Sequence, residues 1–319
     1  MSNSPGTNND SRPYLNFNPD ELLVLMPYET WWRDRYEMLL SHGYQLRPRL
    51  RPGWVPSWTT NGKSPPECED FIFIIAPKNN IVDAVRTSNG EQVLLKKVKT
   101  GGSEIHLALY LSSPELREDP RNHCVPILDH FQDNADESIT YIVMPLLREF
   151  DNPKFGSVNE LLDFGDQIFE GLCFMHEHGV AHSYFPPDCD PLVVGCEGRD
   201  FEVPELSKTV PYNPFKTDIF IIGNLLKKEF FYRYSNVDFM YPLITILAEQ
   251  DPKMRPTAYG AQQMWKHVRA SVSIINRYWR LRGREDDGYL VIAIRDVISF
   301  VRRTIRLSQW APTLNNMLT

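Results

Sequence analysis

Apolar side chains change their spacing along the chain, and each change marks a different kind of structure. Residues 1–18 carry few of them and are rich in Asn, Ser and Pro, so they bury too little to offset the entropy of ordering and read as a disordered tail. Within 19–42, Leu22, Leu23, Leu25, Trp31, Trp32, Tyr36, Leu39 and Leu40 suit one amphipathic helix or two short ones, ending near Gly43. Residues 47–58 interleave arginine, proline and tryptophan. The prolines oppose helix and the indoles need a surface, which predicts an extended arm wrapped on a lobe, with arginine stacked on tryptophan. Between 69 and 98, β-branched and aromatic residues gather in runs at 71–75, 81–85 and 92–98, predicting three strands. Asn89-Gly90 separates the last two and supplies the positive φ a tight hairpin needs. A helix over 103–112 and strands over 125–131 and 140–144 complete a five-stranded sheet with one helix. After Ser157 the spacing is mainly helical, over 158–178, 215–230, 239–249, 258–280 and 288–307.

A length of 319 residues exceeds a single-domain prior of roughly 150, so two lobes are expected. Hydrophobic residues at 42% and charged residues at 24% exclude a collagen-like, mucin-like or wholly disordered chain. The formal charge of −7 leaves no global basic field to hold a phosphate backbone, so nucleic acid is not expected as the main partner. No apolar run approaches the roughly 20 residues of a membrane span. The first residues lack the basic start and apolar run of a secretory signal, and the expected address is cytoplasmic or nuclear. Cys68, Cys124, Cys173, Cys189 and Cys196 are scattered without Cys-x-x-Cys spacing, as expected of reduced thiols.

Several motifs, in order, resemble those of the eukaryotic protein kinases over residues 69–270. Val93-Leu94-Leu95-Lys96 resembles the strand whose lysine grips the ATP phosphates, and Glu104 is the best match to its ion-pair partner. Asn122-His123-Cys124-Val125 resembles the turn before the fourth strand, and Met144 falls at the gatekeeper position. The stretch from Gly171 to His182 resembles the helix and turn leading into the catalytic loop. Pro204-Glu205 resembles the end of Ala-Pro-Glu, Asp218 to Gly223 resembles Asp-x-Trp-x-x-Gly, and Asp251 to Thr257 resembles Asp-Pro-x-x-Arg-Pro-Thr. The resemblance implies an α+β, bilobal protein-kinase-like fold: a five-stranded antiparallel N-lobe with one helix at 69–144, and a mainly helical C-lobe at 145–270. Flanking them are a helix and Arg/Pro/Trp arm at 19–68 and a helical extension at 271–319. It also implies a buried bridge between Glu205 and Arg255. Gly43 to Arg49 and Asp83-Ala84 are similar to a group of kinase-like proteins common in fungi.

Phosphoryl transfer is mostly positioning and charge neutralisation, so the residues that hold metal and orient the nucleophile decide activity. Where the family has a glycine-rich turn, residues 76–80 have none. The catalytic loop becomes His182-Ser183-Tyr184-Phe185-Pro186-Pro187-Asp188-Cys189, with Tyr184 replacing the base and Cys189 the metal-binding asparagine. Only residues 190–203 join this loop to Pro204-Glu205, and Asp200-Phe201-Glu202 reads as a chance likeness to Asp-Phe-Gly. These replacements point to a pseudokinase serving as a binding or scaffolding module for protein partners. The rival is an active Ser/Thr kinase in which Asp188, Asp190 or Asp200 converges with Lys96. A third reading is an active relative shortened within 190–203. ATP, at Lys96, Glu104 and Met144, is the one cofactor the resemblance implies. His176, His178 and His182 lack a zinc-like set of further ligands, and no metal is expected. In 288–307, Leu290, Ile294, Val297, Ile298, Val301 and Ile305 form an apolar stripe flanked by arginines, suited to packing on the C-lobe and, second, to an anionic membrane surface or a partner's groove.

Overall fold

The computed structural model describes residues 22–71, 80–182, 192–195 and 200–285, together with 295, 296 and 298. In chain order its elements are α1 (Pro27–Arg33), α2 (Tyr36–Ser41), β1 (Tyr44–Leu46), α3 (Trp58–Asn61), β2 (Ile81–Arg86), β3 (Gln92–Lys99), α4 (Ser103–Leu111), α5 (Pro114–Arg117), β4 (Asp129–Gln132), β5 (Ile139–Pro145), α6 (Val158–Glu177), β6 (Val193–Gly195), β7 (Ser207–Tyr212), α7 (Pro214–Leu225), α8 (Tyr241–Leu247), α9 (Ala258–Ser271) and α10 (Ile274–Arg277). The chain is mixed α and β and divides into two compact units: Met1–Ile105 with Pro126–Leu146, and His106–Val125 with Leu147–Thr319.

The first unit is built on a five-stranded sheet in the order β1-β2-β3-β5-β4, with each neighbouring pair antiparallel. Arg86 N–H donates to Glu91 O at 2.8 Å and Gly90 has φ +74°, so the hairpin turns where Asn89-Gly90 predicts it. β1 and β4 are at opposite ends of that order, yet Tyr44 Oη donates to Asp129 Oδ2 at 2.7 Å and its ring stacks on Phe131 at 5.7 Å. The sheet therefore curls until its outer strands meet through their side chains. Trp32, Tyr36 and Leu39, from the two short helices, share one buried cluster with Val82, Ala84, Val93, Leu95, Tyr141 and Val143. The helices fill the curl. Arg35 Nε reaches the buried Asp133 at 2.6 Å, while Arg35 and Lys97 each stand 3.7 Å from the Trp31 ring centre.

Several expectations for this unit are corrected. The strand beside β2 is Tyr44–Leu46, which periodicity missed because three residues are too few to show one; the strand predicted over 71–75 lies outside the described residues except Phe71. Residues 27–50 share the sheet's core, so a boundary at 68/69 cuts through one cluster. The arm is not simply extended, since Pro48–Leu50 form a 3₁₀ turn in which Pro48 takes the first position, where its missing N–H costs nothing. Arg49 there is buried, pairs with Glu29 at 2.7 Å and stacks over Trp54 at 4.4 Å. The fourth strand begins at Asp129 rather than 125, after Pro126, which has no N–H to give a ladder.

In the second unit α6 is the longest helix among the described residues. Ser157 Oγ caps it by accepting from Glu160 N–H at 3.3 Å, and Gly179 with φ +71° follows its end. Leu161, Leu162, Phe169 and Leu172 line its buried face. Gly165 lets α9 approach closely, since a Cβ there would lie 2.0 Å from Trp265 Cζ2. Asn213 Oδ1 caps α7, which carries Pro214 at its first position and runs into a π-helical turn at Leu226–Phe231. The helix expected over 258–280 is two helices, because Val272 is extended and Ser273 caps a new start, accepting from Asn276 N–H at 3.2 Å. Val272 and Leu281 enter the main core, so that core runs past the expected boundary at 270/271. The antiparallel β6/β7 pair was not foreseen; it falls between the predicted helices at 158–178 and 215–230, where no element was expected. The tail at 1–18, and 288–307 apart from 295, 296 and 298, lie outside the described residues.

Candidate functional site

In the first unit the residues singled out for nucleotide contact sit on the sheet face opposite the packed helices. Along β3, Val93 and Leu95 are buried in the core cluster, so Leu94 and Lys96 point the other way. Leu94 pairs with Met144, Lys96 with Ile142, and Asp83 with Leu94, which places Asp83, Lys96 and Met144 on one face. Lys96 Nζ meets Glu104 Oε1 from the first turn of α4. Gly101, with φ +65°, turns the chain within eight residues so that the two charges meet. The lysine side chain is 24% exposed and the glutamate 53%, so the pair lies in reach of water and its attraction is screened. Nearby, Arg47 Nε pairs with Asp83 Oδ2, joining two of the residues that carry the fungal likeness.

In the second unit Arg255 is buried and all five of its donors are engaged. Its two terminal nitrogens grip both oxygens of Glu205 at 2.6 and 2.9 Å, and also reach Lys216 O at 3.0 Å and Gln250 O at 3.3 Å. Nε–H donates to Glu249 O at 2.6 Å, and the guanidinium lies 4.7 Å from the Phe220 ring centre. Thr217 Oγ1 donates to Glu205 at 2.9 Å, and Lys216 Nζ returns a bond to Arg255 O at 2.5 Å. Burial, reinforced by the charge of Arg255, holds the Lys216 ammonium below its usual pKa. This network ties Glu205, two residues before β7, to the start of α7 and to the turn that precedes α9.

Asp218, buried near the start of α7, accepts from the backbone N–H of His182 at 2.9 Å and from His176 Nε2 at 3.0 Å. It thereby fixes the backbone at His182. Two of the three histidines meet at this carboxylate, His176 through its ring and His182 through its backbone, while His178 Nδ1 takes the Phe174 carbonyl at 2.8 Å. Among the described residues no group of three or more His, Cys, Asp or Glu side chains gathers as a metal site. Sequence reading weighed His176 only as a metal ligand and missed its pairing with Asp218, 42 residues away.

Asp200 and Glu202 are engaged by α7 and the turn after it. Asn224 Nδ2 donates to them at 2.8 and 3.1 Å, and Lys228 lies 3.5 Å from Asp200 and 2.9 Å from Glu202. The hydrogen bond to Glu202 holds the Lys228 ammonium above its usual pKa. Phe201, between them, is 80% exposed. Cys68, Cys124 and Cys173 are free thiols, and burial pushes the Cys173 thiol up to about 11. Ser183, Tyr184, Asp188, Cys189 and Asp190 lie outside the described residues, as do 76–79. The sequence matches no known family model and no curated protein.

Proposed function

We propose that this chain is a protein-kinase-like pseudokinase, a bilobal scaffold that has kept anchoring contacts and lost phosphoryl transfer, and that it works by binding protein partners. The observation that carries the reading is the pair of replacements in the loop after His182. Tyr184 stands where the resemblance calls for a carboxylate base, and a phenol with an ordinary pKa near 10 takes no proton at neutral pH. Cys189 stands where a hard oxygen ligand would hold Mg²⁺, and a thiol suits soft ions instead. Support comes from the contacts around these positions: Asp218 holding His182 N–H, Glu205 gripped by Arg255, and Lys96 meeting Glu104. The last of these favours a second reading, in which a nucleotide still binds at Lys96 without turnover. An active kinase is less well supported, because both oxygens of Asp200 already have partners.

Thermal melting of the purified chain with ATP, with and without Mg²⁺, tests this. A ligand at a hundred times its Kd adds about 2.7 kcal/mol, or roughly 5–10 °C for a unit of this size. The expected result is no magnesium-dependent shift and no phosphate transfer to a generic acceptor protein. A magnesium-dependent rise of that size, accompanied by turnover that Lys96→Met abolishes, would overturn the pseudokinase reading. A magnesium-independent rise lost in Lys96→Met selects the nucleotide-binding form of it.

A further inference from the structure

Strand β3 alternates its side chains, so Lys97 follows Val93 and Leu95 onto the face covered by the short helices, away from Lys96 and Glu104. Its backbone N–H donates to Asn80 O at 2.8 Å, and its cross-strand neighbour on β5 is Tyr141. The half-buried side chain brings Nζ to 3.7 Å from the Trp31 ring centre and 5.8 Å from that of Trp32. Arg35, at the corner between α1 and α2, stands 3.7 Å from the same Trp31 centre, so two cations share one indole within about 7.5 Å of each other.

Asp133 is the carboxylate of this corner, and its acceptor capacity is spent. Its Oδ2 accepts from Arg35 Nε and from Tyr141 Oη, each at 2.6 Å, and its Oδ1 from the N–H groups of Ala135 at 2.8 Å and Asp136 at 3.1 Å. Burial holds the Tyr141 phenol above its usual pKa, so it stays neutral and offers Lys97 no charge. Among the described residues no carboxylate pairs with Lys97. Attraction to the indole favours the ammonium, but Arg35 draws on the same ring and repels it. Burial, reinforced by the charge of Arg35, holds the Lys97 ammonium below its usual pKa. Lys216 is depressed as well, but its Nζ donates to the carbonyls of Arg255 at 2.5 Å and Pro256 at 3.3 Å, which retain its protons.

We propose that Lys97 is an acylation site, whose amine accepts a short acyl group from a thioester. Lysine attacks only as the free amine, and a desolvated lysine beside a second cation is the kind that reaches that form near neutral pH. The nitrogen lone pair adds to the thioester carbonyl carbon, the C–S bond breaks as the amide C–N bond is made, and the proton of the nitrogen leaves with the thiol. No electrons are gained or lost. The short acyl group extends over the indoles of Trp31 and Trp32, and the neutral amide no longer opposes Arg35. An aldehyde would meet the same amine, but its imine takes up a proton and restores the charge beside Arg35, so the geometry favours acyl donors. The proposal does not depend on the loss of phosphoryl transfer.

The test treats the full folded chain with the acetyl thioester of N-acetylcysteamine across a pH series. Cleavage after glutamate releases residues 92–104, in which fragmentation in the mass spectrometer assigns acetylation to Lys96, Lys97 or Lys99 within one peptide. At neutral pH Lys97 is expected to react at least about threefold faster than the exposed Lys99, with its half-maximal rate at a lower pH. In a chain unfolded by urea the two should react alike. Arg35→Gln removes the charge and keeps a donor for Asp133, so it should move the Lys97 profile toward that of Lys99; circular dichroism and melting confirm that the variant folds. Lys97 reacting no faster than Lys99, an advantage that survives in urea, or a profile unmoved in folded Arg35→Gln overturns the proposal. Lys216 reacting as fast as Lys97 would make burial alone the cause and overturns it as well.

Discussion

Replacing Glu205 by alanine while Arg255 stays in place strands a buried cation. Arg255 spends five N–H donors on five acceptors, two of which are the carboxylate oxygens of Glu205. The variant leaves three carbonyl contacts around a charge whose side chain has no exposed surface. Breaking a buried pair from one side in this way costs about 3–5 kcal/mol. For a unit of 150–250 residues that is a fall in melting temperature of roughly 6–20 °C. Replacing both partners, Glu205→Leu with Arg255→Met, removes the stranded charge but leaves the carbonyls of Lys216, Glu249 and Gln250 short of a donor, at about 1–3 kcal/mol for each that stays dry. The double variant should therefore be destabilised, yet by less than the sum of the single changes, with a coupling of about 1–3 kcal/mol. Urea unfolding followed by circular dichroism supplies all four corners of the cycle. A Glu205→Ala cost below about 1 kcal/mol, or strict additivity, would refute the reasoning.

Two further variants test other parts of the packing. Burial pushes the Asp133 carboxyl up, but hydrogen bonds from Tyr141 and Arg35 outweigh it and hold the group below its ordinary pKa. A depressed carboxyl contributes stability that is full above the unfolded value near 3.9 and is lost as pH falls through the folded value. The stability gap between the native chain and Asp133→Asn should thus narrow as urea midpoints are followed from pH 6 down to pH 3; a constant gap would discount the pair. Gly165→Ala should cost about 1–3 kcal/mol in urea titrations despite alanine's better helix propensity, because its Cβ overlaps Trp265, and Trp265→Phe in the same chain should recover part of the loss. A neutral or stabilising Gly165→Ala would show that α6 and α9 have room to separate.

Local chemistry explains what was legible beforehand. The β2–β3 hairpin is written in Asn89-Gly90 and its flanking β-branched runs, and α6 in the helical apolar spacing over 158–178. Lys96, Glu104, Glu205 and Arg255 could be matched in pairs because the resemblance supplied partners that spacing does not. What stayed hidden depends on residues far apart in sequence. Tyr44–Leu46 is a strand because Val85 and its neighbours offer it a ladder, and nothing within three residues announces that. Asp218 holds His176 and His182 from 42 and 36 residues away. The single helix expected over 258–280 failed for the opposite reason: its apolar spacing continues across Val272 and Ser273, while the serine's capping chemistry starts a new helix.

The curled sheet of the first unit also sets an order of events during synthesis. Arg35 finds its carboxylate 98 residues later and Tyr44 finds its own 85 residues later. Trp31, Trp32 and Tyr36 leave the ribosome long before β5, the strand that supplies Tyr141 and Val143 to their core, has been made. At about 5–20 residues per second this wait lasts roughly 5–20 s, during which the aromatic helices have at most the β1–β3 part of their sheet to cover them. Contacts of such long range slow folding, and apolar segments without a partner are the ones that aggregate or recruit chaperones. The nascent chain is accordingly most vulnerable between the emergence of Trp32 and that of Val143, and a translational pause within that window would prolong the exposure.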